Sequence, residues 1–176
     1  FIARWNHAYA TGWLGIASSF FYGYWSPQAL PILLGSLAFN YGVSRYLDPY
    51  IVMSISVRKY LLAAAISTNL GMLGFFKYAN FFIENINLTA GRWLGHHLDA
   101  VSIALPIGIS FYTFTQIAFL VDCYRGKVTR RNPLNYLLFV SYFPHLIAGP
   151  ILHHSQMIPQ FEKSETYRYN DQNIAI

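Results

Sequence analysis

Long apolar runs separated by short polar or basic connections dominate this chain. Ala100 to Val121 carries no charged residue, and no formal charge lies between Arg4 and Arg45. A helix needs about 20 predominantly apolar residues to cross a bilayer core of about 30 Å. A buried soluble helix of that length normally shows a polar face, which the run ending at Val121 lacks. The pattern therefore predicts membrane-spanning helices.

The expected fold is all-α, a polytopic bundle of transmembrane helices with about five membrane segments. The predicted spans are residues 9–25, 29–46, 60–83, 101–121 and 134–152. A basic loop, residues 122–133, follows the fourth span, and a polar tail occupies residues 155–176. Pro144 and Pro150 interrupt the fifth span, and each proline frees a carbonyl that needs another partner in apolar surroundings. We expect this broken segment to lie against protein or a cavity.

Loop charge predicts an orientation for these spans. Arg58 and Lys59 follow the second span, and four basic residues lie between Arg125 and Arg131 after the fourth. The connections after the first and third spans are poor in lysine and arginine. Because basic loops face the cytoplasm, the ends of spans two and four are predicted to be cytoplasmic.

Composition agrees with a membrane protein. Hydrophobic residues make up 55% of the chain, aromatic residues 18% and charged residues 11%, against about 25% charged in soluble domains. The net charge of +5 would also suit a nucleic-acid partner, but clusters of basic residues between apolar runs favour loops facing anionic lipid. We therefore expect no nucleic-acid partner. The single cysteine, Cys123, excludes an internal disulfide framework.

Few polar side chains interrupt the predicted spans. Thr113 and Gln116 lie three residues apart on one helix face, where they could bond to a neighbouring helix or line a substrate path. His145, in the broken segment, is either a site residue or a packing histidine bonded to backbone. Lys77 lies near a helix end, where it can reach the headgroups. His96-His97 lacks a second ligand pair at helical spacing, so no metal site is expected.

The chain contains the runs LPIGISFYTFTQIAFLVDCYRG, NYLLFVSYFPHLIAGPI and QMIPQF. In this order they closely resemble the membrane-bound O-acyltransferase (MBOAT) family, most strongly its alginate O-acetyltransferase-like bacterial branch. The resemblance covers most of the chain, from about Trp13 to Phe161. The early segment SSFFYGYWSPQALPILLGSLAFNYGVSRYL is also similar to that branch.

The resemblance implies an O-acyltransferase of the bacterial cytoplasmic (inner) membrane. It would move an acyl group, most simply acetyl, from a cytoplasmic thioester-type donor to a hydroxyl of an extracytoplasmic polysaccharide or similar acceptor. The thioester is a co-substrate, and no bound cofactor is implied. The implied partners are the lipid bilayer, an acyl donor or acyl carrier on the cytoplasmic side, and accessory export or acetylation proteins.

The family's catalytic histidine belongs to a later apolar segment, which is expected beyond residue 176. No catalytic residue is therefore assigned within this chain, which we interpret as part of a longer protein and expect to be inactive alone. Two alternatives stay open. A transporter component would also use broken spans, although it predicts an internal repeat that the sequence does not show. A non-catalytic membrane scaffold would bind a partner through Arg125 to Arg131.

Overall fold

The computed structural model describes residues 7–89, 105–128 and 132–142, and the side chains from residue 11 onward within them. Throughout these ranges the regular secondary structure is helical, which confirms the all-α class. The helices are α1 (His7–Trp25), α2 (Leu30–Tyr46), α3 (Ile55–Thr89), α4 (Ile109–Tyr124) and α5 (Pro133–Ser141).

The break between α1 and α2 lies where the sequence predicts it. Helix α1 ends at Trp25, directly before Ser26 and Pro27, and Pro31 occupies the first turn of α2. Proline is tolerated there because the N–H that it lacks would have no partner within the helix.

Helix α3 is longer than the predicted span 60–83. It contains 35 residues and runs from Ile55 to Thr89, or about 52 Å at a rise of about 1.5 Å per residue. The expectation that a loop begins at Glu84 is wrong, as is the placement of Arg58 in a connection, since both residues are helical. The helix therefore exceeds the thickness of a bilayer core by several turns.

Helix α4 begins later than predicted. The backbone from Leu105 to Gly108 is not helical, and Ile109 donates its N–H to the carbonyl of Pro106 at 3.2 Å. Gly108 has φ 72°, a left-handed conformation that glycine adopts without steric cost. Pro106 therefore lies in a turn before the helix, although the predicted span 101–121 includes it.

A glycine-based cap ends α4 within the predicted basic loop 122–133. Gly126, with φ 72°, donates to the carbonyl of Cys123 at 3.1 Å, and Lys127 donates to that of Asp122 at 2.9 Å. This pair of bonds is the Schellman motif, which satisfies carbonyls left over at a helix end. The first part of the predicted loop, through Tyr124, is therefore helical.

Helix α5 begins with a local cap. The side chain of Asn132 accepts the N–H of Leu134 at 2.9 Å, and Pro133 is the first helical residue. Asparagine before proline is a typical helix start. The asparagine side chain accepts a backbone N–H that has no partner within the helix, and proline has no N–H to satisfy. The predicted break at Pro144 and Pro150 lies outside the described residues, as does the polar tail 155–176.

Within the described ranges, α3 is long and apolar enough to cross a membrane, and it is the one helix that meets both criteria. Helices α2 and α4 contain 17 and 16 residues, about 25 Å each, which is slightly short of a bilayer core. The remaining predicted spans stay predictions.

Two long-range contacts define opposite ends of the helix packing. At one end, which we call the Arg58 end, Arg58 of α3 contacts the carbonyls of Leu47 and Tyr124, where α2 and α4 finish. At the other, the Tyr22 end, the hydroxyl of Tyr22 donates to the carbonyl of Ile107 at 3.0 Å. Helices α2, α3 and α4 therefore alternate in direction, which is compatible with the predicted spans.

Helix α4 lies at the centre of this arrangement. It packs against α2, α3 and α5, while α1 packs mainly against α5. Tyr112, Phe119 and Leu120 of this helix are almost completely buried, whereas Phe114 is 51% exposed. The core is thus organised around α4.

Candidate functional site

Four polar side chains meet where α2, α3 and α4 pack together. They are Ser36 and Asn40 of α2, Asn69 of α3 and Gln116 of α4, and all are buried. Ser36 and Asn40 lie four residues apart, so both occur on the same face of α2. We call these four residues the amide cluster.

The two asparagines of the amide cluster form a reciprocal pair. Asn40 Nδ2 donates to Asn69 Oδ1 at 3.0 Å, and Asn69 Nδ2 donates to Asn40 Oδ1 at 2.7 Å. Each amide also donates to the carbonyl four residues earlier in its own helix, Ser36 for Asn40 and Ala65 for Asn69. These bonds fix both rotamers and join α2 to α3.

Gln116 connects this pair to α4. Its Oε1 accepts a bond from Ser36 Oγ at 2.8 Å and shares the two N–H groups of Asn40 Nδ2 with the Ser36 carbonyl and Asn69 Oδ1. One oxygen of Gln116 therefore receives two donors from α2, which sets the distance and rotation of α4 against it. The amide cluster thus links three helices through side chains alone.

Three donors on α4 have no partner among the described residues. They are Gln116 Nε2 and the hydroxyls of Tyr112 and Thr113, all 0% exposed. An unpaired buried donor costs about 1–3 kcal/mol relative to a paired one. The same face of α4 thus retains hydrogen-bonding capacity that the described helices leave unused.

The structure brings two of the three predicted site residues together and leaves the third undescribed. Thr113 and Gln116 are buried on adjacent turns of α4, whereas His145 lies outside the described residues. Sequence reasoning assigned no site role to Ser36, Asn40 or Asn69. The available signal was an amide within each apolar run, with Asn40 one helical turn after Ser36.

The amide cluster consists of amides and a hydroxyl, which are neutral. Such groups can hold a carbonyl or hydroxyl by hydrogen bonds, but they lack the basicity to remove a proton from an alcohol. Among the described residues there is also no group of three or more His, Cys, Asp or Glu side chains that could hold a metal ion. The cluster is therefore suited to positioning.

A second polar arrangement closes the Arg58 end. The Arg58 guanidinium, through Nη2, donates to the carbonyl of Leu47 at 2.8 Å and to that of Tyr124 at 2.9 Å. It also lies 5.1 Å from the ring centroid of Tyr124. Carbonyls at helix ends carry partial negative charge, so one buried cation serves the ends of α2 and α4 together.

The outer faces of the helices are apolar, in contrast to this polar interior. Trp13 and Phe20 of α1 are 58% and 67% exposed, and Phe81 of α3 is 60% exposed. A soluble protein rarely exposes a contiguous apolar surface of this extent. Apolar outer faces around interhelical hydrogen bonds are typical of helical membrane proteins.

This class of protein agrees with the known relatives of the chain. A peptidoglycan O-acetyltransferase of Helicobacter pylori is 39% identical over 189 residues, which cover 93% of this chain and 35% of that protein. The probable alginate O-acetylase AlgI of Pseudomonas aeruginosa is 36% identical over 147 residues, 83% of this chain and 28% of that protein. The probable alginate O-acetylase AlgI of Azotobacter vinelandii is 36% identical over 146 residues, which cover 82% of this chain and 29% of that protein.

These alignments confirm the resemblance drawn from the sequence motifs. Over most of its length the chain is homologous to bacterial O-acetyltransferases, which are MBOAT-type acyltransferases. It spans about a third of the length of the curated relatives that it matches. No family model and no solved structure matches the chain at a significant level.

Proposed function

We propose that the protein containing this chain is an integral membrane O-acetyltransferase of the bacterial inner membrane. It transfers an acetyl group from a cytoplasmic thioester-type donor to a hydroxyl of an extracytoplasmic polysaccharide. The observation that carries the proposal is the 39% identity, over 93% of the chain, to a peptidoglycan O-acetyltransferase. The alginate O-acetylases support the same reaction with another carbohydrate polymer.

The orientation in this proposal comes from loop charge. The Arg58 end faces the cytoplasm, because Arg45, Lys59, Arg125 and Lys127 all lie at that end of the described helices. Gln116 precedes the end of α4 by about two turns, or about 12 Å, and Asn69 lies about 16 Å along α3 from Arg58. In a bilayer core of about 30 Å, the amide cluster is then close to the midplane.

At that depth the unused donors of Thr113 and Gln116 acquire a role. A substrate carbonyl or hydroxyl that crosses apolar surroundings needs hydrogen bonds in place of water. We assign Thr113, Gln116 and His145 to the lining of the substrate path, with Gln116 held in place by Ser36 and Asn40. They orient the reacting groups and leave proton transfer to another residue.

Proton transfer requires a base near neutral pH, for which histidine is the usual choice. The catalytic histidine is proposed to lie after residue 176, in an apolar segment. Its imidazole takes the proton of the acceptor hydroxyl while the oxygen attacks the thioester carbonyl, and the thiol of the donor leaves with a proton. The acyl donor or carrier, and accessory proteins that present the acceptor, complete the reaction.

The source gene tests the first part of this proposal. Reading it in frame past the codon for Ile176 should reveal further apolar segments and a histidine within one of them. Substituting that histidine with alanine should abolish acetyl transfer by the whole protein. A stop codon soon after Ile176, or full activity of the alanine variant, would exclude the proposed catalytic arrangement.

Two matched substitutions on α4 test the substrate path. Gln116→Leu removes both the acceptor and the unused donor, whereas Thr115→Val removes a hydroxyl that already bonds to the carbonyl of Phe111 at 2.9 Å. We expect Gln116→Leu to lower kcat/KM by about tenfold or more, and Thr115→Val to change it little. Equal losses in both variants at equal protein stability would remove Gln116 from the path.

A further inference from the structure

The Arg58 end also contains a cleft that the acetyl-transfer proposal does not use. It lies between the end of α2, the connection after it and the start of α5, with a volume of about 860 Å³. Its lining residues are Tyr41, Gly42, Arg45, Tyr46, Asp48, Ile51 and Pro133. This volume is within the range of about 300–1,000 Å³ that is usual for small-molecule sites.

The lining combines one cation with one anion. Arg45 lies in the last turn of α2, and Asp48 follows just beyond the end of that helix. Asp48 Oδ1 accepts the backbone N–H of Tyr50 at 3.0 Å, which anchors the carboxylate next to the cleft. Among the described lining residues the formal charge is therefore balanced, which suits a ligand that carries both signs.

The remaining lining residues are aromatic or apolar. Tyr46 is 57% exposed and Ile51 38% exposed. At Gly42 an added Cβ would meet nothing within 4 Å, so the space above this residue of α2 is empty. Tyrosines beside a charged pair are typical of the zone where a membrane meets water.

We infer that this cleft binds the headgroup of a phosphatidylethanolamine lipid, with the phosphate on Arg45 and the ammonium on Asp48. The inference rests on the proposed orientation, which places the cleft at the cytoplasmic headgroup layer. A guanidinium recognises phosphate through paired N–H donors, and a carboxylate accepts the N–H donors of a primary ammonium. Tyr46 and Ile51 contact the upper part of the acyl chains.

The carboxylate of Asp48 argues against a nucleotide-bearing donor in this cleft. Such a donor carries several phosphate charges, and Asp48 would face them with like charge. Phosphatidylglycerol lacks the ammonium group, and the quaternary ammonium of phosphatidylcholine has no N–H to donate. The three lipids therefore differ in the group that meets Asp48.

Lipid retention tests the inference independently of acetyl transfer. The whole protein is reconstituted with equal parts of phosphatidylethanolamine, phosphatidylglycerol and phosphatidylcholine, extracted in detergent, and analysed by native mass spectrometry. Phosphatidylethanolamine should be retained in preference to the other two. Arg45→Gln and Asp48→Asn should each reduce its retention by about tenfold, since each removes a charge-assisted hydrogen bond. Arg125→Gln, at an exposed arginine beyond the cleft lining, is the control and should retain the lipid.

A steric variant gives a second test that leaves the charges in place. Gly42→Leu should place a branched side chain in part of the cleft and reduce retention. Gly35→Leu is its matched control, because Gly35 is also in α2, also meets nothing within 4 Å and does not line the cleft.

Equal retention of the three lipids, or unchanged retention in Gly42→Leu, would overturn the assignment. Displacement of the lipid by acetyl-coenzyme A would overturn it too, and would give the cleft to the donor. Because retention is measured without turnover, these failures leave the acetyltransferase proposal standing. Absence of acetyl transfer by a whole protein that retains the lipid normally would overturn the acetyltransferase proposal and leave the lipid assignment standing.

Discussion

Asn40 and Asn69 exchange two hydrogen bonds, at 3.0 and 2.7 Å, and thereby join α2 to α3 in the interior of the helix packing. Neither residue can satisfy its side-chain amide alone, because both are almost completely buried. The pair also supplies one of the two donors that reach Gln116. The position of α4 against α2 therefore depends on a contact between α2 and α3.

A double-mutant cycle measures this dependence. Asn40→Leu and Asn69→Leu should each destabilise the whole protein by about 1 kcal/mol or more, because each leaves the opposite amide unpaired. The double variant should cost less than the sum, by about 0.5–1 kcal/mol, since both amides are then gone. Unfolding in mixed detergent micelles provides the measurement. Asn85→Leu, at an exposed position on α3, is the control. If the stability losses of the two single variants add strictly in the double variant, Asn40 and Asn69 are not coupled.

Arg58 should be intolerant of lysine. A single ammonium cannot reproduce the planar contacts with the carbonyls of Leu47 and Tyr124 together with the stacking on the Tyr124 ring. We expect Arg58→Lys to destabilise the protein by about 1–2 kcal/mol, although charge is conserved. Lys59→Ala, at the exposed neighbour, should change stability by less than about 0.5 kcal/mol. If the two substitutions cost the same, Arg58 acts only as a surface charge.

Gly126 should be intolerant of alanine for two independent reasons. Its φ of 72° disfavours a side chain, and an added Cβ would lie 3.0 Å from Cγ of Pro49. We expect Gly126→Ala to destabilise the protein by about 1 kcal/mol or more. Gly71→Ala, where a Cβ meets nothing within 4 Å, should cause no loss because alanine favours a helix. Thermal unfolding of both variants measures these effects. Equal melting temperatures would contradict the proposed role of Gly126 in the cap that ends α4.

The orientation can be tested with single cysteines in a cysteine-free version of the whole protein. Gln28→Cys lies in the exposed connection at the Tyr22 end, and Tyr50→Cys replaces a side chain that is 91% exposed on the connection after α2. A membrane-impermeant maleimide should label Gln28→Cys from outside the inner membrane and Tyr50→Cys only after that membrane is opened. Labelling of both from one side would contradict alternating spans, and the reversed pattern would invert the topology.

Local signals in the sequence predicted the helices and most of their breaks. The pair Ser26 and Pro27 ends α1 as expected, and charge-free runs became helices packed in alternating directions. The extension of α3 past Ile83 was missed because polar residues such as Glu84 and Asn85 suggest a connection, although both are compatible with a helix. The late start of α4 depends on the turn at Pro106 and Gly108, whose conformation the apolar pattern does not encode.

The amide cluster was only partly predictable. The spacing of Thr113 and Gln116 indicated a shared face, and both residues are buried. Their neighbours depend on the rotation of α2 and α3 about their axes, which the runs around Asn40 and Asn69 leave undetermined because these helices are apolar on most faces. Arg58 was expected in a loop for a similar reason: charge usually marks a surface, but two helix ends supply the carbonyls that stabilise this buried cation.

The central claim is acetyl transfer to an extracytoplasmic polysaccharide, and the most direct measurement is the ester-linked acetate of that material. Cell-wall glycan and exported polysaccharide are isolated from cells with the intact gene, without it, and with it restored on a plasmid. Acetate released by mild alkali is then quantified for each. The account predicts that one of these polymers loses its acetate when the gene is removed and regains it on complementation. Unchanged ester acetate in every polymer would contradict it.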